Sequence, residues 1–134
     1  MMNFRNFLCF PIFICCLLLA CSGSNQISTN HAPDAIFEID PVTGNTETNF
    51  EFDASRSTDH ETRNSDLEYR WDWEGDDNPD TEWSRENPMY HRYLEDGEFS
   101  PTLFVRDSWL EEDSHSLTLS INPVNGPTAV ATVE

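Results

Sequence analysis

Lysine is absent from this chain, and its seven arginines face 25 aspartates and glutamates, for a formal net charge of −18. A surface so short of cations repels nucleic acid and anionic headgroups, which excludes DNA and RNA as partners. Cysteine is missing after the first 21 residues: Cys9, Cys15, Cys16 and Cys21 crowd at the start. The rest of the chain can form no disulfide, no cysteine nucleophile and no thiolate metal site. The histidines His31, His60, His91 and His115 are scattered, with no H-x-x-x-H spacing and no cysteine partner, which argues against zinc. No serine sits in a G-x-S-x-G elbow, and no carboxylate pair lies in apolar surroundings that would raise a pKa. No catalytic residue is assigned, and the chain is read as non-enzymatic. A helical period of apolar residues is also lacking.

What is present begins with an apolar run. Residues 7–20 are almost wholly apolar, broken by Pro11 and preceded by Arg5. The run is too short for a comfortable membrane span and fits a signal peptide. It ends in Leu18-Leu19-Ala20-Cys21, followed by Ser22-Gly23-Ser24-Asn25. This resembles the lipobox of bacterial lipoproteins. The resemblance implies cleavage before Cys21, diacylglycerol on its sulfur and a further acyl chain on its amine. The chain is then exported and held to a membrane by lipid. An ordinary secretory signal with a chance cysteine, or a degenerate membrane helix, is the alternative. Ser22 lacks the acidic side chain often found next to the lipid cysteine of inner-membrane lipoproteins, which favours the outer membrane or cell surface.

The remaining residues suffice for one modest core. High charge can mark disorder. Nine Phe, four Trp and three Tyr argue for a packed interior instead. Residues 22–30 are small and polar and read as a flexible tether. Beyond them the apolar pattern alternates every two residues. Ile36, Phe37 and Ile39 mark a short strand before Pro41, and Thr43-Gly44-Asn45 a turn. Phe50 and Phe52 share one face of the next strand. Leu67, Tyr69, Trp71 and Trp73 alternate with Glu68, Arg70 and Asp72 in the cleanest strand of the chain. Phe99, Leu103 and Val105 line one further strand, and Leu117, Leu119 and Ile121 the last. Short alternating strands divided by Asp, Asn, Gly, Pro and Ser clusters predict an all-β antiparallel sandwich, with Trp71, Phe52, Leu103 and Val105 at its centre.

Five segments then appear in the order of a known family. Asn30-His31-Ala32-Pro33-Asp34-Ala35 reads N-x-x-P-x-A. Phe52-Asp53-Ala54-Ser55 with Ser57 and Asp59 reads F-D-A-S-x-S-x-D. Tyr69-Arg70-Trp71-Asp72-Trp73 is close to Y-x-W-D-F. Pro88, His91 and Tyr93 approximate P-x-H-x-Y with one extra residue. Gly97 through Asp107 follows G-x-Y-T-V-x-L-x-V-x-D. From Asn30 to Asp107 the chain resembles a PKD (polycystic kidney disease) domain. The resemblance implies an immunoglobulin-like sandwich used outside the cell as a spacer or binding module without catalysis. Departures lie in the loops: the turn after Trp73 reads Glu74-Gly75-Asp76-Asp77, and Asp59-His60-Glu61-Thr62 replaces D-x-D-G. The expected layout is a signal peptide over 1–20, a tether over 21–30, a PKD domain over 31–122 and a linker over 123–134. Pro127-Thr128-Ala129-Val130 echoes Pro33-Asp34-Ala35-Ile36, as the first strand of a second copy in a longer surface protein would. An edge strand or loose tail of the same domain is the alternative.

Two acidic clusters could hold a calcium ion, which takes six to eight oxygens at about 2.3–2.6 Å. Asn30, Asp59, Glu61 and Asp107 form the first, brought to one pole of a sandwich. Some PKD-like modules bind calcium through an Asn and two Asp at comparable positions, and here Glu61 stands for one Asp. Asp72, Glu74, Asp76 and Asp80 form the second, with spacing similar to an EF-hand loop. There Asp77 stands where that loop has Gly, and Trp83 where it has its bidentate Glu. Both clusters can equally be solvated turns capped by their own side chains. Trp83, Tyr90 and Trp109 fall near turns and could stack on sugar rings. The expected partners are a membrane through the lipid and a protein or glycan at the surface. The alternative function is a carbohydrate-binding lipoprotein assisting a polysaccharide-degrading enzyme.

Overall fold

The computed structural model describes residues 29–124; the signal run, Cys21, most of the tether and the Pro127 echo lie outside them. Among the described residues, nine strands run in chain order: β1 (Glu38–Asp40), β2 (Gly44–Asn45), β3 (Phe50–Asp53), β4 (Glu68–Asp72), β5 (Met89–His91), β6 (Gly97–Phe99), β7 (Thr102–Arg106), β8 (Glu112–Ser116) and β9 (Leu119–Asn122). One 3₁₀ turn over Asn64–Asp66 is the only helical element among the described residues.

Strand β3 pairs antiparallel with β1 and β5 in one layer. The other layer is built on one long hairpin. Gly97 faces Ile121, Phe99 faces Leu119, Thr102 faces Ser116 and Arg106 faces Glu112. That single register means β6 and β7 are two parts of one strand, and β8 and β9 two parts of its partner. The break falls at Ser100-Pro101, because proline donates no hydrogen bond to a ladder. Leu117 N–H still reaches Pro101 O at 3.1 Å across the gap. Strand β4 joins antiparallel along β7, and β2 joins parallel along β9. The fold is an antiparallel immunoglobulin-like sandwich with one short parallel pair.

Alternation explains the core. On β3, Phe50 and Phe52 are buried while Glu51 and Asp53 are half-buried. Leu67, Tyr69, Trp71 and Trp73 all point inward along β4, with Leu103 and Val105 beside them on β7. Trp71 meets Phe37 and Phe52 edge-on at 5.0 and 5.4 Å and stacks on Trp73 at 5.2 Å. These contacts join the two layers, since Phe52 belongs to one and Trp71 to the other. The stack continues to His91, 4.5 Å from Trp73, which meets Tyr93 edge-on at 4.7 Å; the Tyr93 hydroxyl donates to Trp73 O at 2.9 Å.

Three features depart from the sequence expectations. Gly44-Asn45 is a strand, and the turn falls after it. Strand β8, Glu-Asp-Ser-His-Ser, has no apolar alternation, so the pattern does not predict it. Asp72, placed by alternation on the outer face, is 1% exposed.

Candidate functional site

Strands β4 and β7 run in opposite directions, so Asp72 and Asp107 end them at opposite poles of the sandwich. Both are buried, at 1% and 2% exposure. A buried carboxylate must be met by donors, and each holds a loop by collecting them.

At the Asp107 pole, the carboxylate accepts Trp109 N and Glu111 N on Oδ1, both at 2.8 Å, and Asn30 Nδ2 on Oδ2 at 2.5 Å. The first two bonds close the β7–β8 turn. Leu110 adopts a left-handed φ of 70°, and Trp109 and Leu110 project into solvent. The third bond fixes the chain where it enters the domain. Asp59 shapes the neighbouring loop, its Oδ1 accepting Glu61 N at 3.0 Å and Thr62 N. Thr62 Oγ1 lies 3.1 Å from Ser108 Oγ, joining this loop to the turn after β7. Two buried oxygens here, Asn30 Oδ1 and Asp59 Oδ2, have no hydrogen-bond partner among the described residues.

Glu61 leaves this set. Its Oε1 faces His31 Nδ1 at 2.9 Å and His60 Nδ1 at 2.8 Å, and its Oε2 accepts His31 N at 3.2 Å. The bond from the His31 ring is the main reason its carboxyl is held below the ordinary glutamate range. The ligand atoms of His31, His60 and Glu61 all lie within 4.8 Å of one another. No local spacing could have shown this grouping, because His31 belongs to the chain entry and His60 to the loop after β3.

At the opposite pole, Asp72 Oδ1 accepts Gly75 N at 2.7 Å and Asp76 N at 3.3 Å, and Oδ2 accepts Asp77 N at 2.8 Å. Gly75 has φ 77°, and a Cβ there would meet Ser100 O at 2.5 Å, so this tight turn requires glycine. Asp80 Oδ2 accepts Trp73 N at 2.7 Å. Of the second predicted cluster, Asp72, Glu74 and Asp80 converge, with ligand atoms within 4.8 Å. Asp76 turns away to accept Asn78 N. Burial first, and then the charge and hydrogen bond of Asp80, push the Glu74 carboxyl up. Beside it opens a cavity of about 350 Å³ lined by Glu74, His91, Tyr93 and Phe99 among others. Burial holds the His91 imidazole below its ordinary value of 6.5.

The three candidate sugar-stacking rings are dispersed. Trp83 lies against the sheet with Arg70 and Arg106 guanidinium carbons 4.6 and 4.4 Å from its centroid. Tyr90 sits on β5 in the other layer and donates to Glu51 Oε2 at 2.7 Å. Trp109 is at the tip of the β7–β8 turn. Among the described residues no two of the three are in ring contact.

A scan of protein-family models matched nothing in this chain, and a search of curated proteins matched nothing either. Solved structures do match. The PKD1 domain of Vibrio anguillarum Epp superposes with a TM-score of 0.54 at 22% identity, over 71% of this chain and 99% of that one. The PKD1 domain of the Vibrio cholerae metalloprotease PrtV gives 0.52 at 24%, over 69% and 99%. This chain has the PKD fold. A structure described as a carbohydrate-binding module of the β-sandwich superfamily gives 0.64 at 28% identity. It is matched over 75% of this chain and 38% of its own length, so the likeness covers well under half of that protein. The PKD fold accounts for the order of the five sequence segments, which here supply the chain entry, β3, β4, β5 and the β6–β7 strand.

Proposed function

We propose that this chain is a lipid-anchored, non-catalytic extracellular PKD module, held through Cys21 at the outer membrane or cell surface, where it acts as a spacer or a protein- or glycan-binding domain. The PKD fold supports the module and the Leu18-Leu19-Ala20-Cys21 run supports the anchor, while the bond from Asn30 to buried Asp107 bears on how the chain enters the domain. It locks the point where the tether enters onto the end of a central strand. The same entry segment is held at Asp34 by Thr58 and at Ala35 by Asp113 of β8, so a pull on it is shared among β7, β8 and the loop after β3. Acyl chains contribute about 0.8 kcal/mol per buried CH₂, so two or three hold a protein where one does not. Replacing Cys21 by Ser is expected to block lipidation and leave an uncleaved or released form. A mature-sized Cys21→Ser protein that still fractionates with membranes contradicts the anchor.

Calcium belongs to the same reading. Asn30 Oδ1 and Asp59 Oδ2 are buried acceptors without donors, which fits a hard cation that takes oxygen ligands. Asn30, Asp59 and Asp107 would hold it. Such an ion supplies charge neutralisation in a chain of −18 and ties the entry to two loops. Glu61 and the second cluster are the weaker donors: Glu61 faces histidines, and among the described residues no oxygen of Asp72, Glu74, Asp76 or Asp80 is buried without a partner as Asp59 Oδ2 is.

The alternative is a carbohydrate-binding lipoprotein assisting a polysaccharide-degrading enzyme. The matched carbohydrate-binding module favours it. Retention of the chain on insoluble polysaccharide, lost on Trp109→Ala or Tyr90→Ala, supports that reading; no retention on any glycan removes it.

A further inference from the structure

We propose that His31, His60 and Glu61 form a surface site for a late first-row divalent metal, zinc or copper(II). Both imidazoles aim Nδ1 at one carboxylate oxygen, at 2.9 and 2.8 Å, from two segments that only the tertiary fold brings together. Two imidazole nitrogens and one carboxylate oxygen are the donor set these metals prefer, with water filling the open position. Calcium and magnesium prefer an all-oxygen shell. The present contacts are hydrogen bonds in the absence of metal. Around a tetrahedral ion with bonds of about 2.0–2.1 Å, neighbouring ligand atoms stand roughly 3.3 Å apart. The rings need to withdraw by about half an ångström and to turn so that each Nδ1 lone pair meets the ion instead of Glu61 Oε1. They have room to do so, since the His31 and His60 side chains are 63% and 83% exposed.

The backbone beneath them is fixed. Asn30, next to His31, is bonded to buried Asp107, and Glu61 N is bonded to Asp59. Glu61 is the inner ligand, with a side chain 18% exposed. A metal there clamps the chain entry to the loop after β3. The acidic surface raises the local concentration of divalent cations. Because Glu61 faces the histidines, the site stands apart from the oxygen set of Asn30, Asp59 and Asp107. Such a site would run against the expectation drawn from histidine spacing, which registers ligands only when they are close in sequence.

The test uses the full chain in detergent with its thiols alkylated, at fixed ionic strength and with saturating calcium. Zinc affinity is measured by competition with a chromogenic chelator. His31→Ala and His60→Ala are each expected to weaken zinc by at least about tenfold, the loss that even an outer-shell partner of a metal ligand causes. Asp76→Asn, at the opposite pole, is expected to leave it unchanged. Both histidines are exposed, so these variants keep the core. Copper(II) bound to the wild type is expected to show hyperfine coupling to two imidazole nitrogens, and to one in His60→Ala. Affinity indifferent to both histidine changes, a spectrum without nitrogen coupling, or displacement of zinc by an equal concentration of magnesium would overturn the proposal.

Discussion

Asp72 and Asp107 close the same two paired strands at opposite ends, and each organises an acidic loop. The carboxylate of Asp72 takes three amides of its own loop. Asp107 takes two amides of its own turn and one side-chain amide from the distant chain entry. At the Asp72 pole Glu74 and Asp80 converge on Asp72, and desolvation together with the charge of Asp80 pushes the Glu74 carboxyl up. At the Asp107 pole two buried oxygens are left without donors and a carboxylate gathers two histidines. One pole is a self-contained turn, and the other has unfilled ligand capacity and ties down the chain entry at Asn30. Counting acidic residues in the sequence rates both alike. What separates them is where the backbone amides point.

Neither pole should matter as much as the interior that joins the layers. Trp71→Ala is expected to cost about 3–5 kcal/mol, the usual loss for a large core aromatic. Urea melts give the value directly. Trp83→Ala, which removes a half-buried ring packed on two arginines, should cost much less. Equal losses at the two sites would contradict a core centred on Trp71.

Asp107→Ala comes next. It leaves Trp109 N, Glu111 N and Asn30 Nδ2 without their acceptor; these groups are only partly buried and water reaches them, so the total loss should be about 1–3 kcal/mol. It should also speed proteolysis at the chain entry, whereas Asp72→Ala should destabilise without exposing that entry.

Calcium should then distinguish the poles. At tenfold its dissociation constant, expected near 10⁻⁴–10⁻³ M for an extracellular module, it should add about 1.4 kcal/mol by linkage. Asp59→Asn should remove the gain and Asp76→Asn should leave it. Ionic strength must be fixed, with magnesium as control, because screening of a −18 chain also stabilises.

The smallest effects are those of pH at the Asp72 pole. The Glu74 carboxyl titrates above its unfolded value of 4.5, so its favourable contribution is complete below that value and is lost as pH rises. Glu74→Gln should therefore stabilise at pH 7 and make little difference at pH 4. His91 has the opposite sign. Burial depresses the imidazole, so its contribution is present above 6.5 and is lost as pH falls toward the folded value. The fall in melting temperature between pH 7 and pH 5 should be smaller in His91→Phe than in the wild type.

Much of the sandwich is legible because burial on one face writes a two-residue period, as on β3 and β4. The core of Trp71, Phe52, Leu103 and Val105 follows from that period. Strand β8 is not legible, because neither of its faces is buried deeply enough to select apolar residues. Asp72 departs from its expected face because alternation assigns a side of the strand, while the turn beyond it folds back to cover that side with amides. Asn30 and Asp107 belong together by the family resemblance and are in contact. The grouping of His31 and His60 on Glu61 is invisible in the sequence, since it depends on the chain entry being fixed beside a loop far along the chain.

The most direct test of the difference between the poles is a calcium titration followed by amide NMR at fixed ionic strength. The account expects saturable shifts at residues 30–31, 59–62 and 107–111, with residues 72–80 unmoved. Saturable shifts at 72–80, or small shifts spread evenly over the whole chain, would contradict it.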